Sequence, residues 1–195
     1  MQIINMSKTK LNSLEPLILP KNVTSTECEL FKYPYYGKEK LLKKLHRTDG
    51  IIFANKLYTI EALNANKDSM PSNFVLPESL VSINKKIEAF TMKYIKGINL
   101  SVILNNPDIT YEEKIHYLKS IGRILEQMQN IRKYTNLNNF YLGDNNFLVE
   151  RDKQEIYIVD LDSCKIAGNK SFPGRYLTNS SLIKYNNTKY QTLSQ

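Results

Sequence analysis

The sequence predicts an α+β fold. Three observations carry that expectation: paired short strand-like runs between Glu27 and Met92, one long amphipathic helix from Thr110 to Arg132, and a hairpin with acidic ends from Asn146 to Val159. The 195 residues suffice for one domain with a sizeable core or for two small lobes. No run of about twenty apolar residues is present, so no membrane-spanning helix is expected. The opening MQIINMSKTK lacks the apolar run of a secretory signal. Cys28 and Cys164 lie far apart and suggest neither a disulfide framework nor a metal knuckle. A reducing cytoplasm is the simplest setting.

The formal net charge is +8. A basic surface could steer a protein to nucleic acid, to a membrane surface or to a polyanionic ligand. Here the lysines are scattered rather than striped. The chain is rich in Lys, Asn, Ile and Tyr throughout, which reads as the bias of an A/T-rich genome. Nucleic-acid binding is therefore the least favoured reading, supported by charge alone.

Taken in order, residues 1–21 are a polar start followed by Leu11–Pro20, where Pro16 and Pro20 limit the piece to a short edge strand or an extended arm. Glu27–Tyr33 and Lys40–His46 read as two strands joined by PYYGKE, with Gly37 supplying the turn. In the second, alternation puts Leu41, Lys43 and Leu45 on one face. A lysine sharing a face with two leucines is either a solvated strand position or a deliberately placed cation; Lys44 is the neighbouring alternative. After a turn at Thr48–Gly50, FANKLYTIEAL reads as a helix over Phe53–Leu63. Asn73–Val81 and Ile87–Met92 read as two more strands, turned at Asn84-Lys85-Lys86. Met92 to Leu104 then runs from an apolar strand through Tyr94-Ile95 and a glycine into a helix start.

Thr110 is the N-cap candidate of the long helix, and Glu113 completes a capping box. Ile115, Leu118, Ile121, Gly122, Leu125, Met128 and Ile131 recur at helical spacing and are expected in the core. Arg132 and Lys133 suit the C-terminal end of the helix dipole. His116 is expected at the surface or core edge, with no catalytic role.

The hairpin follows, with strands Asn146–Val149 and Glu155–Val159 and a polar turn, Glu150 to Gln154. Asp144 and Asn146 precede the first strand; Asp160 and Asp162 follow the second. In an antiparallel pair those ends are neighbours. Carboxylate and amide oxygens close together suit Mg²⁺, which takes one or two protein oxygens and completes its octahedron with water and phosphate. Asp and Asn also gather at turns for their own backbone hydrogen bonds, so from these residues alone a plain hairpin and a metal site stand level.

The order of these pieces, with the phrases FKYPYYGKEKLLKKL, FTMKYIKGINL, NFYLGDNNFLV and IYIVDLDSCKI, resembles the protein-kinase-like family, and in particular its divergent members from low-G+C Gram-positive bacteria and their mobile elements. The resemblance covers roughly Val23 to Ile166. It implies a bilobal fold, with an antiparallel-sheet N-lobe (22–92) after an N-terminal arm (1–21), a truncated helical C-lobe (93–170) and an activation-segment-like tail (171–195). It implies ATP and Mg²⁺ as ligands. Lys43 would orient the phosphates, Leu41, Met92, Lys93, Tyr94 and Ile95 would line the nucleotide site, Asp144 would be the catalytic base, and Asn146 and Asp160 would hold the metal. The implied activity is ATP-dependent phosphotransfer; the alternative is a pseudokinase acting as a binding or scaffold module, with a protein substrate or partner at the tail.

Three departures from the family pattern are visible. Lys21–Leu30 contains no glycine, so no glycine-rich phosphate loop is present there. Lys56 stands where the helix of the N-lobe would carry its glutamate. Only Asn145 separates Asp144 from Asn146, where the family places four residues. Phe172, Tyr176, Leu177, Leu182 and Ile183 in the tail have no obvious cover in the sequence.

Overall fold

The structure, a computed structural model, describes residues 1–19, 27–134, 137–138, 146–163 and 165–166. These fall into two compact units. One holds residues 1–65 and 77–94, the other 66–76 and the described residues from 95 onward.

The first unit is built on a six-stranded sheet. Its elements are β1 (Gln2–Met6), α1 (Lys8–Asn12), β2 (Glu15–Pro16), β3 (Cys28–Tyr35), β4 (Lys38–Leu45), α2 (Gly50–Ala65), β5 (Pro77–Ile83) and β6 (Lys86–Lys93), and the strand order is β1-β5-β6-β4-β3-β2. Both hairpin turns use residues at positive φ. Tyr36 and Gly37 sit at +47° and +73°, and Asn84 and Lys85 at +50° and +67°. Two such residues in succession give the turn whose twist matches that of the flanking strands.

The opening residues differ from the expected polar start and extended arm. Gln2–Met6 pair in parallel with Ser79–Ile83 at one edge of the sheet. Ser7 then caps a single turn and a half of helix, its hydroxyl accepting from the Lys10 N–H at 3.1 Å. Glu15 and Pro16 pair with Lys32 and Phe31 at the opposite edge. Only the edge-strand part of the expectation survives, and it is two residues long. Between the edges, Met6, Leu11 and Leu14 pack with Tyr33, Leu42, Val81, Ile83 and Ala89. The first sixteen residues thus run across one face of the sheet and supply both its edges.

Alternation sends the neighbours of those residues to the other face. Leu80, Phe90 and Lys43 are register partners in one row across β5, β6 and β4. Helix α2 packs beside β5 and buries Phe53, Ala54, Leu57, Ile60 and Leu63.

The expected strand Asn73–Val81 is divided. It begins only at Pro77, a residue suited to a strand's first position because it has no N–H to donate. The preceding residues belong to the second unit: the Val75 N–H donates to the Ile158 carbonyl at 2.9 Å, and the Ile158 N–H to the Asn73 carbonyl at 2.9 Å.

The second unit contains β7 (Ile98–Asn99), α3 (Leu100–Asn105), α4 (Tyr111–Tyr134), β8 (Leu137–Asn138), β9 (Phe147–Glu150), β10 (Glu155–Ile158) and β11 (Lys165–Ile166). Strands β10, β9 and β7 form one antiparallel sheet, and β11 pairs with β8. Asn99 caps α3, its side-chain oxygen accepting from the Ser101 N–H at 2.9 Å. Gly97 is required where the chain enters β7: a Cβ there would meet the Leu148 Cβ at 3.0 Å and the Val149 oxygen at 3.2 Å.

Helix α4 begins at the expected cap. The Thr110 hydroxyl accepts from the Glu113 N–H at 3.2 Å. The Glu113 carboxylate is engaged elsewhere, accepting from the Arg151 Nε and Nη2 at 2.9 Å each and from the Tyr117 hydroxyl at 3.2 Å. The expected core stripe needs correction. Tyr117, Ile124 and Met128 are buried, whereas Leu118 and Leu125 are each 46% exposed and Gly122 is exposed. Two apolar rows run side by side on this helix, and helical spacing alone does not say which one meets the core. No helix among the described residues is long and apolar enough to cross a membrane.

Candidate functional site

In the first unit the sheet fixes the surroundings of Lys43. This residue lies in the middle of β4 and is only 5% exposed. It is flanked in register by Leu30 on β3 and Phe90 on β6, and its ammonium sits 5.8 Å from the centre of the Phe90 ring. Burial of a lysine to this degree costs free energy unless an anion or an aromatic face compensates it. The neighbouring alternative, Lys44, is half-buried and bound to Glu29, its partner across β3. The Glu29 carboxyl is pulled below its ordinary value chiefly by that hydrogen bond. Lys44 therefore serves the strand pair.

Two residues from Lys43 on the same face stands Leu41, half-buried and in register with the buried Met92. Strand β6 ends at Lys93, which is exposed, and Tyr94 is half-buried. Ile95 is 6% exposed and belongs to the second unit, so the stretch Met92 to Ile95 contains the point where the chain passes from one unit to the other. Lys56 on α2 is bound to Glu27 at 2.7 Å, just before β3. Sequence reasoning noted the cation at this position and missed its partner, because 29 positions separate the two and neither motif points to the other.

In the second unit Asn146 and the residue preceding Asp160 are held together twice. The Val159 N–H donates to the Asn146 carbonyl at 2.9 Å, and the Asn146 side-chain N–H donates to the Val159 carbonyl at 3.3 Å. The β9–β10 hairpin supplies the register: Phe147 pairs with Ile158 and Glu150 with Glu155. Its polar turn is a single 3₁₀ turn, Arg151–Lys153, closed by Gln154 in the left-handed region. Asp160 also has positive φ, at +63°, a conformation that disfavours ordinary side chains and turns the chain sharply out of the strand. Leu161 and Asp162 follow, 1% and 2% exposed. Sequence reasoning named Asp162 as part of an acidic pair without foreseeing its burial. Asp144, the expected base, lies outside the described residues, as does the tail from Phe172 onward.

The donor set suits a hard cation. With its amide nitrogen donating to Val159, Asn146 would offer Oδ1 to a cation, and Asp160 carries a carboxylate one residue beyond the same clamp. Two such oxygens fit Mg²⁺, which is content with few protein ligands.

An open groove of about 430 Å³ lies elsewhere in the second unit, lined by Lys96, Ile98, Glu113, Val149, Arg151 and Gln154, among others. It is built around the Glu113–Arg151 pair. That pair holds the Glu113 carboxyl below its ordinary value and raises the Arg151 guanidinium.

No family model matches the sequence, and no curated protein matches it. Solved structures do match. One, described as the structure of an apo pseudokinase, superposes with a TM-score of 0.57 over 89% of this chain and 67% of its own, at 13% sequence identity. At that identity the likeness concerns the fold. The chain has a protein-kinase-like α+β fold, in which the six-stranded sheet takes the place of the N-lobe.

Proposed function

We propose that the protein is a kinase-like nucleotide-binding module, with ATP and Mg²⁺ as its ligands. The observation that carries this reading is the buried Lys43: a cation set into an apolar sheet face beside Phe90, Leu41 and Met92. A buried ammonium is a candidate phosphate ligand, and the apolar side chains around it, the Phe90 ring among them, suit a purine. Asn146 Oδ1 and the Asp160 carboxylate would hold the metal, and backbone groups of Met92 to Ile95 would read the edge of the base. Bound Mg²⁺ supplies neutralisation of phosphate charge.

Transfer to an acceptor hydroxyl is the more demanding step. It asks for a base aligned with the metal ligand. Here a single residue stands between Asp144 and Asn146, and Lys56 is committed to Glu27. These features favour binding with weak or no turnover, the pseudokinase form of the reading, and the matched apo structure is itself described as a pseudokinase. A protein partner at the tail, a cytoplasmic setting and an origin among low-G+C bacteria complete the proposal.

The test is a thermal melt of the purified chain with and without ATP and Mg²⁺. A ligand that binds only the folded state raises the melting temperature with concentration, by roughly 2.7 kcal/mol of stability at a hundredfold excess over Kd. The expected result is a rise that Lys43→Ala and Asp160→Ala each reduce. A cooperatively folded sample with no rise would overturn nucleotide binding and leave the fold untouched. Phosphate transfer to a protein acceptor, assayed next, separates an enzyme from a pseudokinase.

A further inference from the structure

We infer that the exposed apolar row of α4 is a self-association surface, on which a second copy of the chain packs its own α4 antiparallel. Tyr111, Leu118 and Leu125 recur every seven residues and are 73%, 46% and 46% exposed. Seven residues are nearly two helical turns, so the three side chains form one seam roughly 21 Å long. Ile115 is half-buried beside them. Gly122 lies on the same seam, and the space where its Cβ would point is open. A helix can therefore approach closely at that point.

The charges beside the seam select the partner. Lys119 and Glu126 flank it on one side, both exposed. Neither makes an ion pair with a described residue. In an antiparallel pair related by a two-fold axis near Gly122, Lys119 of each copy faces Glu126 of the other, and Leu118 faces Leu125. The surface is thus complementary to itself, as an isologous interface requires. A parallel pair would set the Lys119–Glu126 flank against the opposite flank, where Lys114 and Ile121 lie, and would lose both charge contacts. With the axis near Gly122 the part of the seam that faces itself is Leu118 to Leu125, about 10 Å, small beside the roughly 2,000 Å² or more of a permanent interface. The dimer is accordingly a reversible one.

Sedimentation velocity on the full chain from low to high micromolar concentration tests this. The expected result is a concentration-dependent monomer–dimer equilibrium. Lys119→Glu alone and Glu126→Lys alone each place like charges opposite one another at two symmetric contacts, and each should weaken association about tenfold or more. An equimolar mixture of the two single variants should recover it as a heterodimer. Both positions are exposed, so folding is retained, and far-UV circular dichroism checks it. A chain that stays monomeric throughout overturns the inference. So does self-association that ignores both single variants, since another face then carries it, and so does a mixture that fails to recover.

Discussion

Lys43 and Asp160 sit in regions held together by different means. Lys43 occupies the middle of a continuous ladder, with β3 on one side and β6 on the other, and its backbone position follows from strand register. Asp160 lies just past the end of a four-residue strand, at a positive φ, fixed by a clamp between Asn146 and Val159. The first position depends on apolar packing spread over a whole sheet. The second depends on a few named hydrogen bonds and caps. Large truncations should therefore be felt most in the first unit, whereas the second should respond to single polar and backbone changes.

The largest effect is expected at Leu42, which is fully buried and packed against the strap of the first sixteen residues. Leu42→Ala should cost about 2–5 kcal/mol, read as a fall in the urea midpoint. Leu11→Ala, within the strap, should cost a comparable amount if strap and sheet are one cooperative block. A loss below about 1 kcal/mol there would mean that the strap only lies on the surface.

In the second unit, Thr110→Ala removes the cap of α4 and should cost about 1 kcal/mol by the same measurement. An unchanged midpoint would show that Glu113 and Arg151 fix the helix start without the cap. Gln154→Gly should do the reverse. The left-handed turn at φ +53° suits glycine, so a gain of roughly 0.5–1 kcal/mol is expected, and a loss would mean that the Gln154 side chain holds the hairpin.

The smallest effect concerns acid. Arg151 holds the Glu113 carboxyl below its ordinary value of 4.5. A carboxyl lowered in the folded state contributes stability above its unfolded value, and that contribution is lost as pH falls through the folded one. Arg151→Gln should flatten the decline of stability on acidification in that window. Urea midpoints measured from neutral to acid pH in both proteins check it, and parallel curves would dismiss the pair.

The same contrast explains what could be read from the sequence. Turns at Gly37 and Asn84-Lys85, the cap at Thr110 and the hairpin about Arg151–Lys153 are local devices, and each lies where its residues indicate. β1 carries no local signal. Its five residues become a strand only by pairing with β5, far along the chain, and short strands take their propensity from such context. Helix α4 was legible as a helix but not in its facing, because Tyr117 and Leu118 are adjacent and both apolar. For the candidate site, the residue types of Lys43, Asn146 and Asp160 were readable. The burial of Lys43, the left-handed turn at Asp160 and the Lys56–Glu27 pair were not, since each arises from contacts between distant segments.

The strap across the sheet has a consequence for the protein's synthesis. Gln2 pairs with Ser79, so β1 is made 77 residues ahead of the strand it joins. At roughly 5–20 residues per second, Met6, Leu11 and Leu14 wait about 4–15 s on the nascent chain before their companions Val81 and Ala89 exist. During that interval the strap has only the β3–β4 hairpin to pack on, and a growing chain that stalls before residue 83 leaves β1 without its partner strand.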